Sequence, residues 1–447
     1  MLGRATMGEG VTDRGKSGKI GLAGATSIAV GTMIGASIFS IFGLGARIAG
    51  HNLPLVFLLS GGLALPVAYS YAALGSKIVS NAGPIEFILR GIGDGLLAGT
   101  LSILMWFTYV ISIALFVKGF TGYFMPVVGL APTSLNRALV EAGLIAAFTA
   151  LGLAGSRSVG RAEFVIVLVK VSVLLVFIAL GLWTLRPAWI VPGFSAAQVT
   201  HTVEAMAIFF LSYMGFGLVT NASENIKDPE RNVRRAIYLS ILIVTIIYVL
   251  VALVAVGNVR LPDLIKAQDY ALAEAAKPFL GHFGYLLVSI GALFSISSAL
   301  NATLYGGANI AYALARDGEL PDLFERKVWF GGNEGLYLTA GLGLSLALVF
   351  NLNGIASITS SVFMVIYVFV LISHLRLLDK YGGRRRLILT GIVAVIAVLA
   401  ILMIYQWRTS RSAFFATLGT FLGAFVVEMV YRKATNRRLR HRNPAAP

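Results

Sequence analysis

Apolar runs of about twenty residues follow one another along the whole chain, separated by short polar gaps. That is the length an α-helix needs to cross roughly 30 Å of hydrocarbon. The pattern predicts twelve spans, at 20–48, 53–79, 95–125, 136–154, 163–185, 202–223, 233–257, 283–315, 336–351, 355–375, 387–406 and 412–431. A shorter helical stretch, "ALAEAAKPFLG", precedes the eighth. The expected class is an all-α integral membrane protein.

Composition agrees. Of 447 residues, 57% are hydrophobic and only 13% charged, with a mean hydropathy of +0.83; soluble domains carry about 25% charged residues. Without cysteine there is no disulfide, thiolate or Cys-based metal site. The five histidines form no i, i+4 pair, so no zinc site or other cofactor is expected. The first apolar run is too long for a cleavable signal peptide.

The net charge of +16 gains meaning from its placement. With the N-terminus assigned to the cytoplasm, 26 of the 36 Lys and Arg residues fall in the terminal tails and inner loops and 8 on the outer side. Two, Lys118 and Lys170, lie within spans. Short cytoplasmic loops collect Lys and Arg, so both termini are expected in the cytoplasm of a cell-membrane protein. The clusters "GGRRRL" and "RKATNRRLRHR" then face anionic lipid. Nucleic acid is not an expected partner, because no soluble domain presents a groove.

Glycines interrupt two spans at similar depth: Gly31, Gly35, Gly43 and Gly45 in the first, Gly215 and Gly217 in the sixth. Small residues also permit tight helix packing, and the glycines alone fit that reading. Their spacing adds a second. Gly35 and Gly215 lie 180 residues apart, each in the first helix of a five-helix block. An odd number of spans per block inverts the second relative to the first. Interrupted helices at matching positions of inverted halves point to a midplane binding site in transporters. Free N–H groups at such a break suit a carboxylate and free C=O groups an ammonium, the two ends of a zwitterionic amino acid.

These residues carry a family resemblance. "GTMIGASIF", "FFLSYMGFGLVTNASENIKDPERNVRRAI", "SKIVSNAGPIEFI" and "ALFSISSALNATLYGGANIAYALARDGELPDLFER" resemble, in order, motifs of the amino acid–polyamine–organocation (APC) superfamily. The likeness is greatest to its archaeal proton-coupled, broad-specificity amino acid transporters. It implies a LeuT-like fold: residues 20–185 and 186–378 as inverted five-helix repeats, the second with an outer helical loop near 262–281, then two peripheral helices over 379–431, flanked by tails 1–19 and 432–447. Ile34, Gly35, Ala36, Ser37 and Ile38 match the substrate-binding break of the first helix, and Tyr213, Met214, Gly215, Phe216 and Gly217 that of the sixth. Ser37 stands where the family consensus has glycine.

Lys170 lies in "FVIVLVKVSVLLVF" with no acid within six residues. It is seven residues from Glu163, about 10 Å at 1.5 Å per residue, so depth alone also allows snorkelling. The resemblance implies the other role: Lys170 in place of a sodium ion, near Gly31, Ser295 and Ser298, with Glu163 on the same face as a proton relay. Burial works against an ammonium, as a proton-exchanging group requires. Lys118 is expected to snorkel, Glu204 to meet water, and His374 and Glu428 to be solvated at helix ends. Tyr123, Trp183, Trp189 and Trp407 read as interfacial anchors.

The expected function is proton-coupled amino acid uptake by alternating access. Exchange and sodium coupling are the rivals within transport. A polyamine carrier would need acidic side chains that the broken helices lack. No G-x-x-x-x-G-K-[ST] motif points to ATP. No polar constellation within the spans points to an enzyme, and the loops are too short for a receptor's ligand domain.

Overall fold

The computed structural model describes residues 20–80, 83–153, 159–316, 320, 324 and 334–435, without the side chains of Ala36, 159–164, Ala313, Arg316 and Thr435. The first predicted span is three pieces: α1 (Leu22–Met33), α2 (Ala36–Ser40) and α3 (Phe42–Ala49). Next come α4 (Leu53–Gly75), the short α5 (Pro84–Ile92), α6 (Leu96–Val128), α7 (Ser134–Leu153) and α8 (Val159–Trp183). The sixth span is α9 (Ala196–Phe209), a 3-10 stretch Phe210–Gly217 and α10 (Leu218–Asn221). After α11 (Pro229–Asn258) and the seven-residue α12 (Leu261–Ala267), the long α13 (Ala271–Arg316) breaks at Gly281, where φ is 59°. The chain then runs through α14 (Glu334–Val349), α15 (Leu352–Arg376), α16 (Leu378–Tyr381), α17 (Arg385–Thr409) and α18 (Arg411–Thr435).

Among the described residues, eleven stretches are long and apolar enough to cross a membrane, and the sixteen-residue α14 corresponds to the one expected span not among them, the ninth at 336–351. Pairing places the loops. On one face, here called basal, Ile20 pairs with the segment before α11, where Lys227 N donates to Ile20 O at 2.9 Å. There too, Ser80 N donates to Ser223 Oγ at 3.0 Å and Lys77 Nζ to Tyr381 O at 3.0 Å. On the opposite face, the cap face, α12 and the turn Gln268–Tyr270 pack on α3. A side chain at Gly43 would run into the Gln268 backbone, and one at Gly122 into Asp269. Glycine at both positions is therefore what lets this cap sit close.

Several expectations for polar residues are corrected by this packing. Lys118 does not snorkel: its Nζ lies 2.8 Å from Glu141 of α7, a carboxylate only 1% exposed. An unpaired buried carboxylate would be costly, so the lysine turns inward to it. His374 is fully buried, its ring nitrogens 2.8 Å from Ser70 Oγ and 3.0 Å from Gly382 O. Glu428 is fully buried beside Arg432, which also reaches Asp94 at 2.7 Å. Glu204 is mostly buried and meets His201 at 3.2 Å. Tyr123 is no surface anchor; it is buried and donates to Phe39 O at 2.9 Å. Trp183 and Trp407 are exposed as an anchor requires, and Trp189 is half-buried beneath Arg186.

Candidate functional site: two broken helices and a buried lysine

The first break is two residues long. Helix α1 ends at Met33; Ile34 has φ −78° and ψ 73°, and Gly35 has φ −126° and ψ −138°. Gly35 N donates to Met33 O at 2.9 Å rather than to Gly31 O four residues back, which frees the Gly31 carbonyl. A carbonyl left unsatisfied in hydrocarbon costs several kcal/mol, so such a break persists only where protein or water supplies a partner.

Lysine 170 supplies it. Its Nζ donates to Gly31 O, and the residue is 2% exposed. Around it Val165, Leu168 and Val169 are exposed on the outward face of α8, so Lys170 points the other way, into the protein. Snorkelling is thereby excluded. Ser295 of α13 donates to Ile34 O at 3.0 Å and is fully buried. The structure thus unites Lys170, Gly31 and Ser295. Ser298 is half-buried and makes no hydrogen bond among the described residues. The side chain of Glu163 lies outside those described, as does that of Ala36.

The second break tightens the helix instead of opening it. Residues Phe210–Gly217 form the 3-10 stretch, whose poorer hydrogen-bond geometry makes runs beyond three or four residues uncommon. The breaks touch: a Cβ on Gly215 would lie 2.7 Å from Met33 N. Tyr213 OH donates to Phe57 O at 2.7 Å and Tyr367 OH to Met214 O at 3.3 Å.

Between the breaks and the basal face lies a cavity of about 120 Å³. That is roughly ten times what one water needs. Ser37, Met214, Gly215 and Gly217 of the predicted residues line it; Ile34, Gly35, Ile38, Tyr213 and Phe216 stand behind the wall. Sequence reasoning missed the facing wall from α6, Met105, Thr108, Tyr109 and Ser112, and the α15 residues Thr359, Phe363 and Tyr367. Thr108 and Ser112 at i, i+4 were the available signal, a pair of hydroxyls on one face of an apolar helix. Pro84 and Asn221 line its basal end. No Asp, Glu, Lys or Arg lines it among the described residues, and those residues hold no His/Asp/Glu group fit for a metal.

A bundle of membrane-crossing helices, two of them broken around an uncharged central cavity, is the architecture of a transporter. The comparisons name the kind: the "Amino acid permease" family matches residues 20–426. The chain belongs to that family, in the APC superfamily, which implies the LeuT-like fold; it is a transporter and not an enzyme. It is 58% identical to an uncharacterized protein of Methanocaldococcus jannaschii over 94% of this chain and 97% of that one. It is 32% identical to the inner membrane transport protein YbaT of Escherichia coli, over 93% of this chain and 96% of the relative. A methylthioribose transporter of Bacillus subtilis is 29% identical, over 67% of this chain and 68% of its own length.

Proposed function

We propose that this permease takes up neutral amino acids together with protons by alternating access, with Lys170 as the proton-exchanging group. The observation that carries the proposal is the hydrogen bond from buried Lys170 to the carbonyl freed at the first break. Protonated, the ammonium ties α8 to α1, while Ser295 ties α13 to the same segment. Deprotonated, the lysine loses its charge and the strength of a charge-assisted bond. Substrate and proton then act on one structural element. A cation in this place would also repel sodium.

The cavity supports a neutral substrate. Its described lining offers hydroxyls, an amide, aromatic rings and thioethers, with no acid to hold a second ammonium. Backbone groups at the breaks serve the carboxylate and the α-ammonium. In this proposal the basal face is cytoplasmic, the two five-helix blocks are inverted copies, and Glu163 passes protons to Lys170. Glu163→Gln then slows gradient-driven uptake; unchanged uptake would remove the glutamate from the path.

The test is uptake of radiolabelled alanine into proteoliposomes with an imposed pH gradient and no sodium. Concentrative uptake, abolished by a protonophore, is expected. Uptake that needs sodium or ignores the pH gradient overturns proton coupling. Unlabelled methylthioribose competing as well as unlabelled alanine overturns the substrate class.

A further inference from the structure

The first break exposes three carbonyls to side chains, and the lysine accounts for only one. Gly31 O receives Lys170 and Ile34 O receives Ser295. Met33 O, between them, receives the phenol of Tyr248 from α11, a helix that carries none of the predicted site residues. Tyr248 is fully buried. Its ring is held by Phe57 and Tyr213, with centroids at 5.1 Å and 5.7 Å. Tyr213 is anchored in turn through Phe57 O.

Ser37 completes the arrangement. Its Oγ lies 3.2 Å from Met33 O and 3.5 Å from Tyr248 OH, and it lines the cavity while Tyr248 stands behind it. A phenol has one hydrogen, and Tyr248 gives it to Met33 O. Ser37 is therefore the donor in either of its own contacts. Engaged in this way, the hydroxyl has only lone-pair density left to offer a ligand in the cavity it lines. That suits an ammonium or hydroxyl hydrogen of a substrate and disfavours a carboxylate.

We propose that Tyr248 is a positioning residue for transport: it fixes the Met33 carbonyl and, through it, holds Ser37 as a hydrogen-bond acceptor facing the substrate. The proposal rests on the amino acid reading above. It adds a division of labour within the break. Phenol and serine hydroxyls ordinarily do not change charge between pH 5 and 8. The Met33 and Ile34 contacts thus persist when a proton leaves Lys170, and only the Gly31 end is released. Movement then starts on the basal side of Met33, with the substrate-facing side of the break intact.

The experiment is equilibrium binding of radiolabelled alanine to the purified full-length protein in nanodiscs from pH 5 to 8. Tyr248→Phe is expected to weaken binding about tenfold at every pH, leaving the shape of the pH profile unchanged. Ser37→Ala should cause a similar loss, and the double variant little more than either, because the two hydroxyls act as one unit. Wild-type affinity in Tyr248→Phe overturns the proposal, as do losses that multiply in the double variant. A displaced pH profile in Tyr248→Phe overturns the division of labour. If Tyr248→Phe does not purify as a single species, Ser37→Ala decides: unchanged alanine affinity overturns the acceptor assignment. Failure of proton coupling is distinguishable, since wild-type binding would then be flat with pH while the variant-to-wild-type ratio at any one pH still tests Tyr248.

Discussion

The two broken helices meet at one cavity but are braced by different chemistry. At the first, the backbone leaves helical geometry for two residues, and an ammonium from α8 binds the freed carbonyl. At the sixth, the backbone stays coiled as a 3-10 stretch, and hydroxyls brace it and the turn before it. Tyr367 binds Met214 O, while Ser360 reaches Ala207 O at 2.7 Å and Ser60 reaches Met206 O at 3.2 Å. No described hydrogen bond brings a charged donor to the sixth break. Under the proposed function, the two sites share a backbone solution to recognising a zwitterion and differ in whether a proton can change it. Coupling as proposed then needs only one of the two breaks to be sensitive to charge, with the other a fixed wall.

The sharpest way to break this contrast is to remove the charge. Lys170→Ala should reduce gradient-driven alanine uptake in proteoliposomes to the level of empty liposomes, a loss of at least ~100-fold. The Gly31 carbonyl would lose its ammonium donor, and the helices their charge-dependent tie. A fully active variant would show that the two breaks are equivalent after all.

A second variant tests whether the breaks act as a unit. Gly215→Ala sets a methyl 2.7 Å from the backbone nitrogen of Met33, an atom that cannot swing aside as a side chain would. Overpacking of this kind costs about 1–3 kcal/mol, and alanine binding should weaken about tenfold or more. The thermal midpoint and the alanine Kd check it; wild-type values for both would mean that the breaks move independently. A smaller effect is expected at the fixed wall. Tyr367→Phe removes one neutral hydrogen bond, worth about 0.5–1.5 kcal/mol, and the pH profile of alanine binding should keep its shape. A shifted profile would give the sixth break a share in proton coupling.

How much of this was legible in the sequence follows from how local each signal is. The glycines of "GTMIGASIF" mark the first break, because leaving a helix is a property of a few consecutive residues. Gly215 and Gly217 mark only the end of the sixth; that the 3-10 stretch begins at Phe210 has no local signature. Lys170 was visible as a charge in an apolar run, but its direction was not, since a side chain seven residues from a helix end reaches either the interface or the core. The partner of Lys118 was hidden for a related reason. Glu141 lies on the next span, and only packing of α6 against α7 brings the two together. The cavity walls from α6 and α15 were least legible, because a helix that stays regular does not advertise which side faces a ligand.

The cap offers the finest test of where protons act. Asp269 sits in the turn that packs against α3, outside the membrane-crossing helices. Burial raises its carboxyl from the ordinary 3.8 to about 6, with Arg137 and Lys118 pulling the other way. Glu141, paired with Lys118, and Lys266 line the same cleft. A carboxyl whose pKa is raised on folding binds its proton more tightly in the folded form. The stabilisation it gives is complete below about 4 and fades as pH rises through about 6. This runs opposite to a salt-bridged aspartate, which strengthens as pH rises. The thermal midpoint of the purified protein should therefore lose a small increment between pH 4 and 6, and Asp269→Asn should flatten that segment of the curve. A slope that survives Asp269→Asn would assign it to another group. A flat wild-type curve would leave Lys170 at the first break as the proton-sensitive point, and sharpen the contrast between a charged first break and an uncharged sixth.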